Sequence, residues 1–241
     1  MDERLLEVCV DDAPGLHAAI AGGANRIELC AALTVGGLTP SPGLMAAAAG
    51  SPVPVYAMIR PRSGDFVFAE TEIEIMLADI DHARHCGLSG VVLGASLPDG
   101  RLDAAVLRRL CMHAQGLGTT LHRAFDLVPS FADAIEIAVE LGFERILTSG
   151  GAPTVLQGLD QLERIVALAG NRISIMPGGG VKAENAAELI ARLGVRELHA
   201  SGGLARGPAG EKILELGFDA ASRRATDKNT VAAVKAAMGG R

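Results

Sequence analysis

Two short segments each place a carboxylate and a thiol two residues apart: Glu7 and Cys9 in LEVCV (residues 6–10), Glu28 and Cys30 in RIELC (residues 26–30). In an extended strand residues i and i+2 share a face, so Glu28 and Cys30 project one way while Ile27 and Leu29 project the other. If these are neighbouring strands about 4.8 Å apart with matching ends, Cys9 and Cys30 come close enough to share a soft ion such as Cu(I), which prefers thiolate ligands. The two glutamates then lie roughly 6–7 Å deeper on the same face. Buried carboxylates need a cation, hydrogen bonds or a shifted pKa, so Glu7 and Glu28 call for partners. Arg60, Arg62, Arg123, His122 and His199 are the candidates, and Glu7, Glu28, His122, His199, Arg60 and Arg123 together form a set suited to acid/base work beside a charge clamp.

A second kind of signal is backbone rather than side chain. TSGG (148–151), PGGG (177–180) and ASGGLARG (200–207) each follow a β-branched or apolar run and lead towards a helix, an arrangement that turns N–H groups towards an anion. Arg62, Ser149, Gly150, Gly151, Gly178, Gly179, Gly180, Ser201 and Gly202 are therefore candidate anion-binding residues; glycines in tight turns account for the same pattern without a ligand. His82, His85, Cys111 and His113 fall on helical segments and read as surface or packing residues.

The elements that must position these groups recur along the chain. Strand candidates lie at 5–10, 26–30, 55–60, 90–94, 119–124, 145–149, 173–177 and 196–200, with helical segments between them, and such alternation means parallel strands. Ser41 with Pro42 and a stop at Gly50, Thr71 with Glu74 as a capping box, Asp103 and Ser130 as N-caps, and Gly142, Gly170 and Gly194 as stops punctuate the helices. Eight nearly regular units without a strand-one G-x-G-x-x-G favour an α/β fold closed as a single-domain (β/α)8 TIM barrel over residues 1–241, and exclude a nucleotide cofactor of the Rossmann kind. In that fold the polar strand ends gather at the C-terminal mouth, where active sites are built. Residues 202–225 form the longest irregular stretch, a candidate lid or subunit contact.

Composition removes other classes. The chain has 241 residues, a net charge of −6, one Tyr, no Trp and six Phe, which does not suit nucleic acid. No apolar run reaches the roughly 18 residues that span a bilayer, and the charged start MDERLLEVCVDD lacks a secretory h-region, so a soluble cytoplasmic protein without a membrane partner is expected. Four cysteines without C-x-x-C spacing are expected to be reduced thiols. None of Lys182, Lys212, Lys228 and Lys235 falls on a strand end, so a Schiff-base aldolase has no nucleophile, and serine-hydrolase and zincin motifs are missing.

Seven ordered blocks, LEVCV, RIELCAALTVGGLTPS, MIRPRSGDFVF, LHRAFD, LTSGG, IMPGGGV and ELHAS, resemble the CutC copper homeostasis family over nearly the whole chain. Ser63 stands where the family pattern more often has Gly. The resemblance implies a cytoplasmic TIM barrel that forms a homodimer or higher homo-oligomer and binds Cu(I) through Cys9 and Cys30. Two thiols leave the glutamates, arginines, histidines and glycine loops of the same mouth without a task. Three readings therefore stand side by side: a copper-binding protein, an enzyme acting on a small anionic or phosphorylated metabolite, and a non-catalytic barrel used in subunit assembly.

Overall fold

The computed structural model describes residues 4–207, 210–218 and 224–239. Strands β1 (Leu5–Val10), β2 (Arg26–Leu29), β3 (Val55–Met58), β4 (Gly90–Leu93), β5 (Gly118–Leu121), β6 (Arg145–Thr148), β7 (Ser174–Pro177) and β8 (Glu197–Ala200) pair in parallel in chain order up to β7, and β8 returns to β1. A parallel bridge between Gly178 and His199, with Ser174 Oγ donating to Glu197 Oε1 at 2.9 Å, joins the β7–β8 seam. The (β/α)8 barrel is as expected, and every strand starts within one residue of its sequence-based position.

Helices α1 (Ala13–Ala21), α2 (Pro42–Ala48), α3 (Glu70–His85), α4 (Ala104–His113), α5 (Phe131–Glu140), α6 (Leu159–Ala169) and α7 (Ala183–Leu193) cover the sheet. The short α8 (Glu211–Glu215) precedes α9 (Lys228–Ala237), which packs between α7 and α1 and completes the ring. Local chemistry sets the boundaries. Ser41, Asp103 and Ser130 accept the first-turn N–H groups of Leu44, of Ala105 and Val106, and of Asp133, each cap contributing about 1 kcal/mol. Gly170 and Gly194 end α6 and α7 at positive φ. The Thr71–Glu74 capping box is corrected: α3 begins one residue earlier, and it is Glu72 whose carboxylate reaches back to the Ala69 N–H at 2.8 Å. Arg62, paired to Glu72, draws that carboxylate and the helix start towards the preceding loop.

Strand residues obey strict alternation. Leu6, Val8, Val10, Ile27, Leu29, Ala57, Ile59, Val91, Leu93, Leu121, Ile146 and Leu198 face outward and merge with the helices into one core. The opposite parity fills the barrel, where Cys30, Tyr56, Met58 and Val92 form a separate small cluster. Tyr56 lies across the barrel floor only because β4 and β5 offer Gly90 and Gly118 beside it; a Cβ at either position would collide with the tyrosine ring or hydroxyl.

The segment 202–225 is less irregular than its composition suggests. Gly203–Ala205 (β9) and Arg224–Thr226 (β10) pair antiparallel, with α8 between them; residues 208–209 and 219–223 of that segment lie outside the described residues.

Candidate functional site

The register between β1 and β2 overturns the expected matching of the two Glu-x-Cys segments. Glu7 is opposite Arg26, and Cys9 is opposite Glu28, so β2 is offset by two residues along the barrel axis. Cys30 therefore stands one layer above Cys9, and Glu28 one layer above Glu7. Closure of a barrel requires this kind of stagger between tilted strands, which no single strand reveals.

The deeper layer is an ionic floor. Glu7 is fully buried, accepts from Arg26 Nε, and has its other oxygen 2.8 Å from His199 Nδ1. Burial alone would raise the Glu7 carboxyl, but the Arg26 charge and the His199 hydrogen bond prevail and hold it at about 2. Arg26 also meets Glu197 at 2.5 Å, and Arg145 bridges Glu197 (3.2 Å) and Glu144 (2.8 Å). Both guanidinium groups lie over Tyr56, 5.5 and 5.0 Å from its ring centre. Arg26 was not among the expected partners of Glu7, yet it lies in RIELC itself, on the same face as Glu28 and Cys30.

Above this floor Cys9, Glu28 and His199 converge. One ligand atom from each, a thiol sulfur, a carboxylate oxygen and an imidazole nitrogen, all lie within 4.8 Å of one another, and all three residues are buried. Glu7 engages His199 Nδ1 and leaves Nε2 directed to Glu28 Oε2, 3.8 Å away. A carboxylate holding the far nitrogen of a ligating histidine is the usual outer-shell arrangement of metal sites. Burial works against the His199 imidazolium, but the adjacent Cys9 and Glu28 charges raise it well above the ordinary histidine range. Burial and the Glu7 charge raise Glu28, whose Oε1 has no hydrogen-bond partner among the described residues.

Cys30 is outside this group of three. Its sulfur lies 3.6 Å from Glu28 Oε2 and packs among Tyr56, Met58 and Val92; burial and the Glu28 charge push its thiol well above the usual range. It is a neutral donor to Glu28.

The other expected residues separate by what already occupies them. Asp126 accepts from Thr148 Oγ1 (2.6 Å), the Ser149 N–H (3.1 Å) and the Gly151 N–H (3.0 Å), while Thr148 Oγ1 takes the Gly150 N–H at 2.9 Å. The anion cradled by the TSGG loop is the chain's own Asp126. Arg123 pairs with the same carboxylate at 2.7 Å and donates to Ser149 Oγ at 2.6 Å. Arg62 is turned to Asp65 (2.9 Å) and Glu72 (2.5 Å), away from the barrel axis. Gly178 donates its N–H to Thr148 O, and a Cβ there would collide with Leu147: this glycine serves close strand packing. Gly179, Gly180, Ser201 and Gly202 line the mouth.

Arg60 and His122 lie in the wall of the same mouth. Arg60 donates to the carbonyls of Val35 (2.8 Å), Gly37 (3.1 Å) and Gly64 (2.8 Å), tying two loops together. His122 Nδ1 accepts the Ala124 N–H at 3.1 Å, and a Cβ at Gly94 would strike its ring. Burial, reinforced by the Arg60 charge, lowers His122 to about 3 and keeps it neutral. Cys9, Glu28, Arg60, His122, Arg123 and His199 together border a cavity of about 1650 Å³.

Comparison with known proteins agrees with the architecture. The model of the CutC family matches residues 4–204. A CutC family protein of Rhizobium meliloti strain 1021 is 60% identical over 238 residues, 99% of this chain and 97% of its own. One from Caulobacter vibrioides strain NA1000 is 57% identical over 235 residues, 96% of each chain. The crystal structure of a Streptococcus agalactiae CutC, provisionally named a copper homeostasis protein, superposes with a TM-score of 0.78 at 34% identity, covering 82% of this chain and 98% of that one. Among the described residues no helix is long and apolar enough to cross a membrane.

Proposed function

Because the chain belongs to the CutC family, we propose that it acts in copper homeostasis and binds copper on Cys9, Glu28 and His199 at the barrel mouth. The convergence of three buried ligand atoms within 4.8 Å carries this reading. A thiolate and an imidazole are the donors that copper favours, and Glu28 supplies a third donor and a compensating charge. Cys30 enters through its hydrogen bond to Glu28 rather than as the second thiolate. Unbridged cysteines support a reducing, cytoplasmic setting. The test is anaerobic competition for Cu(I) against a chromophoric chelator. Native protein should take up one ion per chain, Cys9→Ser should lose it, and Cys30→Ser should keep the stoichiometry. Full uptake by Cys9→Ser would end this reading.

The cavity favours a second reading. About 1650 Å³ far exceeds what one ion needs and is larger than the roughly 300–1,000 Å³ of ordinary small-molecule pockets. It supports acid/base chemistry on a small organic anion, with Glu28, His122 and His199 as the titratable groups and Glu7 orienting His199. Thermal-shift screening against small acids and phosphorylated metabolites, followed by assay of any ligand for chemical change, tests it; a screen without a ligand removes it. Exposed Leu204, Leu216 and Phe218 support a subunit contact through this region, and a homo-oligomer in solution that Phe218→Ser should weaken by size-exclusion chromatography with light scattering.

A further inference from the structure

Three buried side-chain atoms without a hydrogen-bond partner among the described residues lie on groups that border the mouth cavity: Arg60 Nε, His122 Nε2 and Glu28 Oε1. Buried polar atoms are rarely left unpaired, so three around one cavity mark a place built to receive something.

Arg60 is the more unusual of the two donors. It is 5% exposed, and its terminal nitrogens are taken by neutral carbonyls of Val35, Gly37 and Gly64. The other two buried guanidinium groups of the barrel are both neutralised, Arg26 by Glu7 and Glu197 and Arg145 by Glu144 and Glu197. Among the described residues no carboxylate forms an ion pair with Arg60. A buried cation without a counter-charge is costly, and Arg60 is one of the residues that line the cavity.

His122 supplies the second donor. Its Nδ1 accepts the Ala124 N–H, so the neutral ring carries its proton on Nε2, and the ring is 3% exposed. Phe66 joins the two groups: its ring centre lies 4.8 Å from the His122 ring centre and 4.8 Å from Arg60 Cζ. This packing locks both side chains, so their N–H directions are fixed before any ligand arrives.

We propose that Arg60 Nε–H and His122 Nε2–H form a subsite for the carboxylate of a small organic acid in the barrel mouth. A carboxylate offers acceptor oxygens for two donors and one negative charge for one unpaired guanidinium. A phosphate dianion would bring a second charge into a mouth already bordered by Glu28, Asp11 and Asp126. Arg123 does not contribute, since Asp126 already neutralises it. The proposal rests on the second functional reading only in placing an organic anion in this cavity; it requires neither copper nor turnover.

The experiment uses the full chain after treatment with a chelator, with acetate and pyruvate as probes and inorganic phosphate as the contrasting anion. Imidazole nitrogen NMR should show His122 in its Nε2–H form, and addition of pyruvate should shift the Nε2 resonance saturably, whereas phosphate should not. His122→Asn retains a cap for Ala124 and removes the Nε2–H, and should weaken carboxylate binding by about tenfold or more. Arg60→Lys keeps the charge but lacks the Nε–H, and should weaken it similarly; circular dichroism establishes whether the loops Arg60 ties remain folded. Absence of any carboxylate response, preference for phosphate, or unchanged binding in a folded His122→Asn would each overturn the subsite. Saturable binding with no chemical change in either probe would leave the subsite intact and count only against the catalytic reading.

Discussion

Cys9 stands opposite Glu28, not opposite Cys30, across the β1–β2 pair. The two Glu-x-Cys segments thus serve different layers: the candidate metal group takes its thiol from the first, its carboxylate from the second and its imidazole from β8. Glu7, opposite Arg26 and bonded to His199, supports that group from below.

The support should be measurable through Glu7. Glu7→Gln leaves His199 without an anionic partner on Nδ1, and copper affinity should fall by about 10- to 100-fold in the chelator competition. The same change removes one of two counter-charges of buried Arg26 and should destabilise the protein by about 3 kcal/mol in urea unfolding. Unaltered affinity would show that Glu7 acts only in the floor.

Asp126 gives a prediction of the opposite kind, in which an external anion restores what a mutation removes. Asp126→Ala deprives Ser149 and Gly151 of their N–H acceptor and leaves Arg123 unpaired, a loss of about 2–4 kcal/mol. If the TSGG loop is an anion nest filled from within, acetate or sulfate at millimolar levels should raise the melting temperature of Asp126→Ala more than that of the native protein. Equal shifts would show that the loop has no affinity for anions.

The barrel was legible because strand and helix punctuation is local: β-branched runs, Ser41, Asp103 and Ser130 each act within a few residues of themselves. Strand faces were legible too, since parity alone puts Glu28 and Cys30 on one side. Stagger between strands was not, because it arises from closure of all eight, and the sequence alone therefore does not show that Cys9 stands opposite Glu28 rather than Cys30. Which carboxylate neutralises which arginine was equally hidden. Arg62, Arg123 and Arg60 look alike in sequence, yet the first two meet acids three residues away in the chain and Arg60 meets only carbonyls.

Tyr56 makes the floor testable by sterics. Gly118→Ala places a methyl group against the tyrosine hydroxyl, which donates to Glu144 at 2.9 Å, and against that Glu144 carboxylate as well. A loss of about 1–3 kcal/mol is expected, with the m-value preserved. Tyr56→Leu alone should also destabilise, but the double variant should cost less than the sum, because the shorter side chain vacates the space the methyl needs. Strict additivity would mean that Gly118 is required for its backbone rather than for its neighbour.

His122 fixes the expected acid response. Its folded pKa is lowered from 6.5 to about 3 by burial and by Arg60, the charged group that faces it, so between those values the unfolded chain binds a proton that the folded protein refuses. Stability from this group is full above the unfolded value and declines as pH falls through the window, by about 2 kcal/mol on reaching about pH 5. Urea midpoints followed from about pH 8 to 5 should drop below about pH 6.5 in the native protein, and His122→Asn should flatten that drop while starting from a lower plateau. Imidazole NMR over the same range should show His122 failing to titrate. A His122 that titrates near its ordinary value would mean that the ring reaches water, and would remove both the acid response and the fixed donor that the neutral ring presents to the cavity.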